Sequence, residues 1–148
     1  MYAKILVALD GSMRAEAVLR HVEELALCFK SRVLLLRIVD LAAPIGAVES
    51  AYAGLRQREM AQETREARAY LAALQGQFRA KGIDTHSSVA YGRPVDAILD
   101  TADGQDVDLI AVAGRGQGGL TRVVDGSVAA GLLRRAHRPL LLIPSRDG

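Results

Sequence analysis

Glycine is concentrated in one short stretch of the sequence, VAGRGQGGLTRVVDGSVAAGLL, which spans residues 112 to 133. Glycine loses more conformational freedom on folding than any other residue, so a cluster of it requires a reason. Without a Cβ, a glycine lets a ligand approach the backbone N–H groups, and such groups at a helix start attract phosphate. The stretch therefore predicts a phosphate-binding loop. Its candidate residues are Gly114, Gly116, Gly126 and Ser127, although Gly118 and Gly119 can equally provide flexibility alone.

A carboxylate lies in a comparable place near the start of the chain. The apolar run 5–9 is too short for a helix and leads into the turn residues Asp10-Gly11-Ser12. In open α/β sheets, ligands bind at the carboxyl ends of strands where the strand order reverses. Asp10 and the glycine stretch each follow a predicted strand, so both are candidates for one site. The alternative is that Asp10 only completes a turn or caps the first helix.

The elements that must position these residues follow from hydrophobic periodicity. Apolar runs predict strands over 5–9, 33–39, 108–112 and 139–143, and a more polar edge strand over 85–90. Helical spacing predicts helices over 15–29 and 127–136, helix over at least the second half of 49–81, a short helix that opens at Pro94, and a loop over 40–48. Strands that are apolar throughout are typical of a parallel sheet covered on both faces. Right-handed crossovers then predict one doubly wound α/β domain over residues 1–148.

Composition excludes several classes of partner. The 148 residues carry a formal net charge of +2, which is too small for a general nucleic-acid or membrane binder. No apolar run reaches the roughly 18 residues of a membrane span, and the N-terminus lacks a signal-peptide pattern. We therefore expect a cytoplasmic protein with neither a nucleic acid nor a membrane as partner. The one cysteine, Cys28, is predicted to be a small buried hydrophobe.

Familiar catalytic and nucleotide motifs are missing from the sequence. It contains no G-x-x-x-x-G-K-[ST], which argues against a P-loop ATPase, and Asp10-Gly11-Ser12 is not the G-x-G-x-x-G of a standard dinucleotide site. No base stands beside a nucleophile at a recognisable spacing, and neither His21 nor His86 has companions for a metal site. These observations favour a binding protein without catalytic or metal-ligating residues.

Several segments, in this order and spacing, resemble the universal stress protein family along nearly the whole chain. They are KILVALDGS at 4–12, LLRIVD at 35–40, Gly92-Arg93-Pro94 with Ile98, Asp108-Leu109-Ile110, and the glycine stretch that leads into Gly126-Ser127-Val128. The resemblance implies a five-stranded sheet in the order 3-2-1-4-5 with helices on both faces. That order puts the ends of strands 1 and 4 side by side, where the residues already indicate a site.

The resemblance also implies a ligand, ATP or a related adenine nucleotide, with or without Mg²⁺. ATP-binding members of the family carry G-x2-G-x9-G-[ST], whose last three elements match Gly116, Gly126 and Ser127. By this resemblance Ala8 and Asp10 would lie against adenine and ribose, and the backbone of Ile38 would read the adenine edge. The phosphates would lie at Gly116, Gly126, Ser127 and Val128. The complete implied set is Ala8, Leu9, Asp10, Ile38, Val112, Ala113, Gly114, Gly116, Gly126, Ser127 and Val128.

Two residues depart from the family pattern and keep other interpretations open. Ala113 stands where the motif has its first glycine, and Asp125 precedes Gly126 where the family usually has an apolar residue. The leading interpretation is a stress-response regulator that binds an adenine nucleotide and a protein partner that the sequence does not identify. The second is a nucleotide-free homodimer that acts through protein contacts, and the third is a small ATP-using enzyme. The resemblance implies a homodimer paired through the apolar edge strand 139–143.

Overall fold

The computed structural model describes residues 1–13, 15–40, 49–115 and 127–145. Strands and helices alternate along these residues, as the periodicity predicts. Their bounds are β1 Lys4–Leu9, α1 Ala17–Phe29, β2 Arg32–Val39, α2 Glu49–Ala80, β3 Thr85–Tyr91, α3 Pro94–Gly104, β4 Leu109–Arg115, α4 Ser127–Arg135 and β5 Leu140–Ser145.

The five strands form one parallel sheet in the order β3-β2-β1-β4-β5. The predicted fold class and strand order are therefore confirmed. β1 is central: it pairs with β2 from Lys4 to Leu9 on one side and with β4 on the other. The strand order reverses between β1 and β4, so a crevice is expected at their carboxyl ends.

Each face of the sheet carries its own apolar core. On the first, the α1/α2 face, Ile5, Val7 and Leu35 of the sheet pack with Val22 of α1 and Phe78 of α2. The second, the α3/α4 face, is built from alternate strand positions and from residues of α3 and α4. Its buried members are Leu6, Leu34, Leu36, Ile98, Ala102, Val107, Ile110, Val112 and Leu132. Because successive strand residues point to opposite faces, strands buried on both sides must be apolar throughout.

Individual residues account for one end of α2, one end of α3 and the start of the sheet. α2 stops before Gly82, whose φ of +84° favours glycine, as the Lys81-Gly82 pair predicts. α3 begins at Pro94, also as predicted. At the amino edge of the sheet, the Asp108 carboxylate accepts hydrogen bonds from the N–H groups of Ala3 (2.8 Å) and Lys4 (2.9 Å). This contact ties the start of β1 to the start of β4.

Two expectations differ from the structure. Cys28 is exposed, so the prediction of a buried hydrophobe was wrong. The buried residues of α1 are Val18, Leu19, Val22 and Ala26, and Cys28 lies off the stripe that they form. β4 and β5 also extend beyond their predicted ends, since their pairing continues through Gly114 opposite Pro144 and Arg115 opposite Ser145.

The edges of the sheet follow the predicted pattern. The polar strand β3 is one edge, and β5 is the other. Among the described residues, no helix combines the length and the apolarity needed to cross a membrane. Residues 41–48 of the predicted loop 40–48 and the central part of the glycine stretch, 116–126, lie outside the described residues.

Candidate functional site

The candidate site lies where the carboxyl ends of β1 and β4 are adjacent. The two strands pair through Val7 and Ala111, so Ala8 and Val112 are the next residues along them. α4 begins at Ser127 and leads back to the start of β5, which is parallel to β4. The N-terminus of α4 is therefore at the same carboxyl edge, where its free N–H groups and partial positive charge favour an anion.

Four predicted site residues share the α3/α4 face. Ala8, Ile38 and Val128 pack against the same apolar cluster that contains the buried Val112. They come from β1, β2, α4 and β4, respectively, and meet only because the sheet places these elements together. Together they provide an apolar wall beside the strand ends.

Leu9 and Ala113 lie on the opposite side of the sheet. Leu9 belongs to the core of the α1/α2 face, as does Ala111. Since side chains alternate along a strand, Ala113 has the same orientation as Ala111, and its register partner Ile143 packs on that face too. The Ala113 methyl group therefore points away from the apolar wall.

The remaining predicted residues are placed only in part. Gly114 is buried near the end of β4, and Ser127 is the first residue of α4. Gly116 and Gly126 lie outside the described residues, and so does Asp125. The geometry of the phosphate end therefore remains a prediction from the sequence.

Asp10 organises the turn that follows β1. Its Oδ1 accepts hydrogen bonds from the Ser12 N–H (2.8 Å) and the Ser12 hydroxyl (2.6 Å). The Ser12 Oγ in turn accepts the N–H of Ala15 at 3.1 Å, just before α1. This is the turn-completing role that an Asx residue commonly plays. Asp10 remains exposed at the rim, so the same carboxylate is accessible to a ligand.

One cation outside the set of predicted site residues lies close to this turn. Arg37 of β2 is opposite Leu9 in the sheet, and its guanidinium lies against the backbone of Gly11. The Arg37 Cζ is also 5.6 Å from the centroid of the Tyr70 ring on α2. The available signal in the sequence was one arginine within the apolar run VLLLRIV.

The electrostatics of this corner keep the Tyr70 phenol neutral. Burial raises the pKa of Tyr70 to about 12; the Glu16 carboxylate adds to the rise, Arg37 opposes it, and Asp10 adds to it. The Tyr70 hydroxyl oxygen and the Arg37 Nε are both buried, and neither has a hydrogen-bond partner among the described residues. This corner thus combines the carboxylates of Asp10 and Glu16 with the half-buried side chain of Arg37.

The arrangement is suited to binding a ligand that is part apolar, part hydroxylated and part anionic. The apolar wall can receive a flat ring, and the exposed Asp10 carboxylate can accept hydrogen bonds from hydroxyl groups. The α4 N-terminus can receive an anion. All three features lie at the carboxyl edge of the sheet.

Comparison with known proteins identifies relatives along nearly the whole chain. The model of the "Universal stress protein family" matches residues 1–144. The universal stress protein MJ0531 of Methanocaldococcus jannaschii is 27% identical over 143 residues, which are 97% of this chain and 82% of the relative.

Solved structures show the same fold. The universal stress protein UspA from Lactobacillus plantarum superposes with a TM-score of 0.81 at 23% identity, covering 96% of this chain and 97% of its own. The universal stress protein from Archaeoglobus fulgidus, solved in complex with dAMP, gives a TM-score of 0.69 at 23% identity, with 96% and 98% covered.

Proposed function

The chain belongs to the universal stress protein family, and we propose that it is a regulator that binds ATP or a related adenine nucleotide at the ends of β1 and β4. The observation that carries the proposal is that the glycine motif and the fold indicate the same place. The motif Gly116-x9-Gly126-Ser127 ends where α4 begins, and α4 begins at the edge where β1 and β4 end. A helix start preceded by glycine is a favourable place for phosphate.

The described residues support a nucleoside next to those phosphates. Adenine is a flat and largely apolar ring, which suits the wall formed by Ala8, Ile38, Val112 and Val128. The exposed Asp10 carboxylate lies one residue beyond β1. In our proposal it accepts hydrogen bonds from the ribose that is attached to the adenine. The A. fulgidus protein of the same fold was solved with dAMP. That likeness is one of fold, so the proposal depends on the residues of this chain.

We further propose that the protein acts by binding rather than by turnover. The sequence offers no nucleophile with an adjacent base at the crevice, and a binding protein needs none. Mg²⁺ would accompany the triphosphate as its counterion. Nucleotide occupancy would then control contacts with a regulatory protein partner inside the cytoplasm.

Calorimetric titration with Mg-ATP tests the proposal. We expect binding in the micromolar range, and we expect Gly126→Val to abolish it because a β-branched side chain would occupy the path of the phosphates. Gly76→Val is the matched control: Gly76 is an exposed position of α2, where an added Cβ meets nothing within 4 Å. This control should bind ATP as the wild type does.

Two results would overturn the proposal. Absence of heat and of a thermal shift at millimolar ATP would favour the nucleotide-free homodimer that acts through protein contacts. Unchanged affinity in Gly126→Val would instead place the phosphates elsewhere.

A further inference from the structure

Arg37 occupies an unusual place for a charged residue. It lies in β2, directly after the buried run Val33, Leu34, Leu35 and Leu36, and it is itself half-buried. Its position opposite Leu9 puts it at the carboxyl end of the sheet, on the α1/α2 face. A half-buried guanidinium costs desolvation free energy, so its retention here requires compensating contacts.

Two groups lie close to the guanidinium. One is Gly11, where φ is +85° and a Cβ would overlap the Arg37 Nη1 and lie 3.1 Å from its Cζ. The other is the Tyr70 ring, with its centroid 5.6 Å from that Cζ. Glycine at position 11 therefore suits both the backbone conformation and the close approach of Arg37.

Packing, rather than a hydrogen bond from Nε, holds this side chain. The Arg37 Nε is buried and lacks a hydrogen-bond partner in the part of the chain that the structure describes. The Tyr70 hydroxyl is also buried without a hydrogen-bond partner among the described residues, so it does not hold Arg37 by a hydrogen bond. A planar, delocalised cation over an aromatic face is stabilised without such bonds. The aromatic ring of Tyr70, rather than its hydroxyl group, therefore supports the Arg37 side chain.

Arg37 is also poorly placed to touch the phosphates itself. Its side chain is on the α1/α2 face, whereas Val128 at the start of α4 packs on the α3/α4 face. Its guanidinium instead lies close to Gly11, which belongs to the turn Asp10-Gly11-Ser12 that follows β1. We therefore expect Arg37 to influence a ligand through that turn.

We propose that Arg37 is a positioning residue: supported by the Tyr70 ring, it presses against Gly11 and thereby holds the Asp10 carboxylate where the nucleoside of the ligand is received. The effect on ligand binding rests on the proposed function, whereas the effect on the turn does not. Tyr70 belongs to α2 and Gly11 to the β1–α1 connection, so the contact couples α2 to the rim of the site.

Nuclear magnetic resonance on the nucleotide-free protein tests the turn. We expect lower heteronuclear NOE values for the Gly11 and Ser12 amides in Arg37→Met and in Tyr70→Leu. Tyr70→Phe keeps the aromatic ring, so its Gly11 and Ser12 amides should keep the wild-type NOE values. Arg32→Met is the matched control, because Arg32 is an exposed arginine of the same strand that pairs with Asp84 at 2.9 Å. Unchanged NOE values in Arg37→Met would overturn the proposal.

A double-mutant cycle tests the route through Asp10. Arg37→Met should weaken ATP binding about tenfold, as expected for the loss of one cation–π support. Combined with Asp10→Ala, it should weaken binding no further than Asp10→Ala alone, within about twofold. A merely structural role would make the two losses add, and additive losses would overturn the proposal. A wild type that binds no ATP would overturn the proposed function, and the NOE values would still decide the positioning role.

Discussion

At the scale of single residues, orientation matters as much as identity. Ala113 replaces the first glycine of the family motif, which from the sequence alone suggests crowding of the ribose. In the sheet its methyl group points to the α1/α2 face, away from Ala8 and Val112. The substitution therefore weighs less against nucleotide binding than the motif suggests.

Ala113→Gly should leave the affinity for ATP unchanged within about twofold, because the methyl group does not face the apolar wall. It should lower the free energy of unfolding by about 0.5–1 kcal/mol, since glycine in a strand loses more entropy on folding. Calorimetry and urea denaturation measure the two effects. Ala111→Gly, on the same face but fully buried, is the control and should lose more stability. ATP binding that tightens beyond about fivefold would show that the methyl group reaches the nucleotide.

At the scale of elements, the position of α4 depends on a close contact with α3. A Cβ on Gly131 of α4 would lie 2.6 Å from Cγ2 of Val95, in the first turn of α3. Glycine thus serves here to let two helices approach each other. Because Ser127 is on the same helix, this contact also sets where the end of α4 proposed to bind phosphate lies.

Gly131→Ala should lower the free energy of unfolding by about 1–2 kcal/mol, because overpacking against Val95 outweighs the gain of about 1 kcal/mol in helix propensity. Val95→Ala in the same chain should recover most of the loss. Gly76→Ala is the matched control: an added Cβ there has no neighbour within 4 Å, so it should stabilise the protein. Urea denaturation measures all of these values. Stabilisation by Gly131→Ala alone would contradict the close contact.

At the scale of the whole molecule, β5 is an edge strand of the sheet. Among the described residues β5 pairs with β4 alone, and the half-buried Leu140, Leu141, Leu142 and Ile143 make this edge apolar. The N–H of Ile110 bonds to the carbonyl of Pro139 at 3.0 Å, so the backbone groups of odd-numbered β5 residues face β4. Those of Leu140 and Leu142 therefore face the open edge, which favours pairing with another chain.

We expect a homodimer through residues 139–143, with a mass about twice the 15.8 kDa of the chain. Leu142→Pro removes an N–H from the open edge and should shift the mass measured by light scattering toward the monomer. Leu141→Pro removes an N–H that faces β4 and should instead destabilise the fold. A monomeric wild type at micromolar concentration would contradict the prediction, and so would a Leu142→Pro variant that remains a stable dimer.

The sequence alone determined those features whose signal is local. The apolar runs around Ile5–Leu9 and Val33–Val39 identified buried parallel strands because a strand covered on both faces needs apolar residues throughout. Gly82 and Pro94 marked helix ends because each has a restricted or special backbone conformation. The strand order and the nucleotide motif came from the resemblance of whole segments rather than from any one residue.

The tertiary structure decided what depends on contacts between distant segments. β4 continues to Arg115 because β5 pairs with it, although its apolar pattern ends earlier. The orientation of Ala113 and the exposure of Cys28 are set by which face each element buries. Gly11 belongs to the β1–α1 connection, Arg37 to β2 and Tyr70 to α2. Their contact has no local signal, because it exists only once β1, β2 and α2 have packed.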